Sequence, residues 1–148
     1  MKISVGSDHA GYRLKERVVE HLESAGHDVV DVGTTSEEST DYPDFAEPAA
    51  RMVATGETDG AVLVCGSGQG MCMTANKVRG VRAALAWTTE IAKLSRNHNN
   101  ANALCMPARF VSEEDALAIV DAWLDAGFDG GRHERRVEKM MNIEKGEN

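Results

Sequence analysis

The chain has no apolar run approaching the roughly 18 residues of a membrane span. Its start, Met1-Lys2-Ile3-Ser4-Val5, lacks the long apolar stretch of a secretory leader. Cysteine is scarce. Cys65, Cys72 and Cys105 are odd in number and form no CxxC pair, which argues against a disulfide framework and against a zinc site. Positive charge is also short, since 16 Lys and Arg face 24 Asp and Glu for a formal net charge of −8, a balance that disfavours nonspecific nucleic-acid binding. These absences lead us to expect a cytoplasmic protein with reduced thiols, no metal, and no membrane or nucleic-acid partner. An anionic ligand would need a local cationic pocket. No linker, repeat or low-complexity segment interrupts the 148 residues, and 42% hydrophobic content suits one domain over residues 1–148 with a core of ordinary size.

What is present centres on Gly60-Ala61-Val62-Leu63-Val64-Cys65-Gly66-Ser67-Gly68-Gln69-Gly70. The apolar run is too short for an independent helix and reads as a buried parallel strand that empties into three glycines ahead of a helix-permissive segment, Met71 to Lys77. A thiol thus reaches the carboxyl end of a strand. The glycines allow close main-chain approach, and the N–H groups of the helix start favour an anion or an oxygen bearing negative charge. Three similar motifs are excluded by spacing. A P-loop needs Gly-Lys-Ser/Thr where Gly70-Met71-Cys72 stands. A nicotinamide fingerprint belongs on the first strand of its unit with a different third glycine. A cysteine-phosphatase loop requires an arginine at the position of Met71. From the loop alone, a buried cysteine before an ordinary glycine turn fits equally well.

Strand and helix signals alternate along the rest of the chain. Lys2 to Gly6 reads as a strand, and Ser7 to Gly11 as a turn into a helix from Tyr12 to Ser24, whose Leu14, Val18, Val19 and Leu22 share one face. A strand at Asp28 to Val32 follows. The connection Gly33 to Asp41 is long enough to suggest that it borders a site, and a second helix then runs to Ala54. Beyond the glycine loop we expect a strand at Arg82 to Ala86, a helix from Thr88 to Arg96 and a fifth strand at Asn102 to Met106. Ser112 with Glu113, Glu114 and Asp115 opens another helix, and a charged helix from His133 to Ile143 closes the chain. Five strands alternating with helices imply an α/β fold, an open parallel sheet covered on both faces with ligands beyond the carboxyl ends of the strands. Those ends carry Asp8 and His9, Cys65 with its glycines, and Met106 to Arg109.

Six blocks together resemble a known family. They are Ser7-Asp8-His9-Ala10-Gly11, Thr40-Asp41-Tyr42-Pro43, Cys65-Gly66-Ser67-Gly68, Ala75-Asn76-Lys77, Ser95-Arg96-Asn97-His98-Asn99, and Gly130-Gly131-Arg132 followed by Arg136. In this order, over nearly the whole chain, they look like the B-type ribose-5-phosphate isomerases, a group that also holds allose- and galactose-6-phosphate isomerases. The resemblance implies a three-layer, Rossmann-like single domain with a C-terminal helix. It implies a homodimer or homotetramer with sites at a subunit interface, and interconversion of ribose 5-phosphate and ribulose 5-phosphate without cofactor or metal.

Such an isomerisation removes a weakly acidic proton beside a carbonyl, returns it to the neighbouring carbon and stabilises an enediolate between. By the resemblance Cys65 is the base, and by local physics it is the thiol best placed to ionise. The N–H groups of Gly66 to Gly70, with Gly68 between, would hold the enediolate oxygen, and Ser67 would relay a proton between the two sugar oxygens. The resemblance makes His98 the ring-opening residue, although its position alone also suits a polar residue closing a helix. Asn99 would help hold the enediolate oxygens, Asp8 would orient sugar hydroxyls or the ring oxygen, and Tyr42 would border the sugar. Arg132 and Arg136, four apart, would bind phosphate with His9, and Arg109 would act similarly. Taken alone, Arg132, Arg135 and Arg136 also suit a solvated charged face.

One branch of the family has a glutamate base where Met71 stands. Met71 cannot abstract a proton, so the cysteine branch is indicated. Cys72 reads as core filler. The same chemistry on a six-carbon sugar phosphate, or binding of a sugar phosphate without turnover, are the competing readings.

Overall fold

The computed structural model describes residues 1–146. Five strands, β1 (Lys2–Ser7), β2 (Asp28–Asp31), β3 (Gly60–Cys65), β4 (Ala83–Leu85) and β5 (Ala103–Pro107), form one fully parallel sheet in the order β2-β1-β3-β5-β4. The helices are α1 (Tyr12–Ser24), α2 (Pro43–Ala54), α3 (Gln69–Ala75), α4 (Thr89–Asn99), α5 (Glu113–Asp125) and α6 (Arg132–Lys145). The expected five-stranded α/β architecture and its C-terminal helix are present. Among the described residues no helix is long and apolar enough to cross a membrane.

Both faces of β3 are buried, and its alternation separates the core into two clusters. Val62 and Val64 join Ile3, Val5, Leu104 and Met106 beneath α1, α4 and α5, where Val18, Leu22, Ile119, Val120 and Trp123 close the layer. Ala61, Leu63 and Cys65 face the other way, with Cys105, against Ala46, Ala49 and Ala50 of α2 and Met71 and Ala75 of α3. A strand covered on both sides explains the uninterrupted apolar run in the sequence. On α1 the expected stripe is realised, with Val18 and Leu22 fully buried and Leu14 and Val19 packed at its margin. The stripe misses Lys15. This lysine is only 1% exposed because its Nζ donates to Asp31 at 2.7 Å and to Glu16 at 2.8 Å. Burial works against the charge, but the bonds to Asp31 and Glu16 outweigh it and raise the lysine above its ordinary value.

The starts of α4 and α5 follow capping side chains, Thr88 and Ser112. The Ser112 side chain accepts from the Asp115 N–H at 3.0 Å beneath an acidic first turn, as the sequence leads one to expect. Helix α4 runs three residues past the expected Arg96. Its stop is Asn100 in the left-handed conformation (φ 48°), whose N–H donates to the Arg96 carbonyl, and asparagine tolerates that conformation better than most residues. His98 and Asn99 are therefore helical residues.

From β1 the chain moves outward to β2, whereas from β3 it moves to the other side of the sheet. The reversal leaves a crevice at the carboxyl ends of β1 and β3. Asp8 follows β1, and Cys65 ends β3.

Candidate active site

The crevice is a cavity of about 420 Å³ lined by Asp8, His9, Ala10, Tyr42, Cys65, Gly66, Ser67, Gly70, Arg109 and Phe110. Larger hollows of about 560 and 600 Å³ lie beneath α6 and between α1 and α5. They lack the convergence of a thiol, unpaired main-chain donors and cationic groups found here.

Asp8 is 7% exposed, and its Oδ1 accepts the Gly11 N–H at 3.2 Å. It therefore caps the short turn of residues 9–11 while lining the cavity, so capping and site roles coexist. His9 is held from both sides by Thr40. The Thr40 N–H donates to His9 Nδ1 at 3.1 Å, and the His9 N–H donates to the Thr40 hydroxyl at 3.1 Å. Because Nδ1 accepts, a neutral His9 carries its proton on Nε2, which gives the ring a donor for an anionic oxygen. Thr40 lies in the Thr40-Asp41-Tyr42-Pro43 stretch, where local sequence gives it no role. Its function emerges only when the long connection after β2 folds back over β1.

The glycine loop is shaped by its neighbours. Gly68 has φ 76°, and a Cβ there would lie 2.5 Å from Leu85 Cδ1 and 3.0 Å from the Met106 carbonyl carbon. Added Cβ atoms at Gly66 and Gly70 would meet the Arg109 guanidinium at 3.0 Å and the Tyr42 ring at 2.8 Å. Arg109 and Tyr42 thus lie directly on the loop. The Arg109 N–H donates to the Gly66 carbonyl at 3.0 Å, and that of Ala108 to the Cys65 carbonyl at 2.9 Å. Among the described residues, no acceptor meets the N–H groups of Ser67, Gly68 and Gly70, which remain available to a ligand oxygen.

Cys65 is 4% exposed and reaches this cavity from the core side. Met71 is fully buried among α2 and α3, away from the cavity lining. The second thiol, Cys72, packs against Cys105. That contact draws Cys72 below its ordinary value, and with burial it pushes Cys105 well above.

His98, Asn99, Arg132 and Arg136 do not line this cavity. Helices of a parallel α/β sheet run opposite to the strands, so the last turn of α4 lies about 16 Å of helix away from its start, at the amino edge of the sheet. There the His98 and His133 rings stack with centroids 4.2 Å apart and planes 8° apart. Burial, His98, Arg132 and Arg136 all lower the His133 pKa from its ordinary value. Helix α6 begins at Arg132, directly after Gly131, so Arg132 and Arg136 share a face as their spacing leads one to expect. Both are exposed, and among the described residues neither meets a carboxylate within salt-bridge distance. The expected residues fall into two groups on opposite edges of one chain.

The chain resembles known proteins over nearly its whole length. Residues 3–140 match the family model described as Ribose/Galactose Isomerase. The chain is 48% identical to ribose-5-phosphate isomerase B of Escherichia coli over 147 residues, covering 99% of both chains. Among solved structures, ribose-5-phosphate isomerase B of Clostridium thermocellum superimposes with a TM-score of 0.97 at 48% identity over 99% of both chains. The Mycoplasma genitalium enzyme, solved with bound ribulose-5-phosphate, gives 0.93 at 45% identity over 97% of this chain and 96% of the other. With its sheet order, thiol-bearing glycine loop and full-length likeness, the chain belongs to the ribose/galactose isomerase family.

Proposed function

We propose that this chain, an aldose–ketose isomerase by its family, interconverts ribose 5-phosphate and ribulose 5-phosphate through an enediolate, with Cys65 as the base. The observation that carries the reading is the meeting, in one cavity, of the Cys65 thiol, the unpaired N–H groups of the glycine loop, Asp8 and the Nε2 donor of His9. A thiolate removes the proton from C2 of the open-chain aldose, the electrons move onto O1, and the proton returns to C1. Ser67 carries the hydroxyl proton between O2 and O1, and the N–H groups of Ser67, Gly68 and Gly70 bear the charge that develops on oxygen. Preorganised donors of this kind are each worth about 3 kcal/mol when removed.

Ring opening and phosphate binding need the second half-site. Because His98 sits at the amino edge, the reading requires that a second copy place its His98, Asn99, Arg132 and Arg136 over the Cys65 cavity. A homodimer with two shared sites is the smallest assembly that does so. Together with Arg109 and His9, the arginines would surround a phosphate with charge-assisted donors in an otherwise acidic protein. The free thiols suit a cytoplasmic location.

The test is Cys65→Ala assayed with ribose 5-phosphate. Turnover should fall at least 10³-fold while sugar phosphate still binds, because the phosphate contacts are untouched. Retained turnover removes Cys65 from the role of base. Faster turnover of allose or galactose 6-phosphate than of ribose 5-phosphate would move the assignment to a six-carbon substrate.

A further inference from the structure

We propose that His98, Asp129 and His133 form a binding site for a divalent transition-metal ion such as Zn²⁺ on the amino-edge face of the molecule. One nitrogen of each ring and one carboxylate oxygen of Asp129 all lie within 4.8 Å of one another. Two imidazoles with one carboxylate are a donor set that suits zinc and leaves a fourth position for water or a phosphate oxygen.

The ligands come from three segments that are already tied together. His98 is on the last turn of α4, Asp129 lies in the link after α5, and His133 is on the first turn of α6. The Asp129 N–H donates to the Asn97 carbonyl at 3.0 Å, the Asn97 side chain donates to the Gly127 carbonyl at 2.7 Å, and the His133 N–H donates to the Gly130 carbonyl at 3.1 Å. Folding therefore brings the donors together before any ion arrives.

Bonds of about 2.1 Å in tetrahedral geometry place ligand atoms roughly 3.4 Å apart. Closing around an ion needs a shift of roughly 1 Å and a turn of one of the stacked rings. His133 is itself only partly buried, which leaves its ring room for that turn. Arg132 and Arg136 oppose the ion's charge. Asp129 offsets part of that opposition, and solvent screens the rest because both arginines are exposed.

Zn²⁺ titrated by calorimetry into the full-length protein, in buffer free of phosphate and chelator, should bind at one site per chain. His133→Ala and Asp129→Asn should each weaken binding at least tenfold, and Cys72→Ser should leave it unchanged. His133→Gln, which keeps the bulk of the side chain, guards against a folding defect in the alanine variant. Absence of binding, binding indifferent to the Asp129 and His133 variants, or binding lost only in Cys72→Ser overturns the proposal. Co²⁺ absorption supplies a second readout, and a thiolate charge-transfer band would likewise overturn it. Isomerase assays distinguish this site from the reading of His98 as the ring-opening group. Zn²⁺ that inhibits turnover of the parent protein but not of Asp129→Asn, with activity restored by EDTA, supports both. Zn²⁺ that binds at the three residues without inhibiting leaves the metal site standing and counts against that role of His98.

Discussion

At the scale of single residues, the polar groups of the cavity are set by specific partners. His9 is the clearest case, since Thr40 fixes both its main chain and its ring nitrogen. Replacing Thr40 by Val removes the hydroxyl acceptor but keeps the N–H that binds Nδ1. A net hydrogen bond of about 1 kcal/mol predicts a KM for ribose 5-phosphate raised roughly fivefold, with kcat nearly unchanged. Steady-state kinetics decide it, and a fall in kcat with constant KM would show that Thr40 acts on the chemistry. The sequence reveals Cys65, Asp8 and His9 because strand ends are readable from hydrophobic pattern and turn residues. It hides Thr40, whose contact spans 31 positions and depends on the path of a loop. Lys15 is hidden for a similar reason, because a charged residue on an apolar stripe is buried only through partners contributed by a neighbouring residue and by the next strand.

At the scale of elements, the glycine loop lies against β5, so the geometry of the proposed oxygen-binding donors and the packing are one problem. Gly68→Ala places a methyl group against the Met106 main chain at 3.0 Å and forces a left-handed conformation on alanine. The expected cost is about 2 kcal/mol in thermal denaturation, accompanied by a larger loss of kcat/KM as the donors turn away. A variant as stable and active as the parent would show that the loop relaxes freely. All five strands and all the helices were readable from alternation and capping residues. Their lateral order was not, because local pattern does not record which strand pairs with which. The end of α4 also escaped a reading by pattern, since Asn100 stops the helix through an uncommon backbone conformation.

At the scale of the whole molecule, the cavity holds the thiol while the opposite edge holds the imidazole and the exposed arginines. The sequence supplied all these residues but not their separation, which follows from α4 running antiparallel to the sheet. Mixing Cys65→Ala and His98→Ala chains after reversible dissociation should regenerate about a quarter of wild-type activity, because half the dimers are mixed and each holds one intact pair of half-sites. No recovery, despite mixed dimers detected by mass, would mean that one chain completes its own site.

On the proposed reading, in which the last turn of α4 completes the cavity of a second copy, reaction rate depends on protein concentration. Below the dissociation constant of the assembly, each chain would keep its fold and lose its turnover. Specific activity would then fall on dilution while circular dichroism stays constant, making association itself a switch for the isomerase.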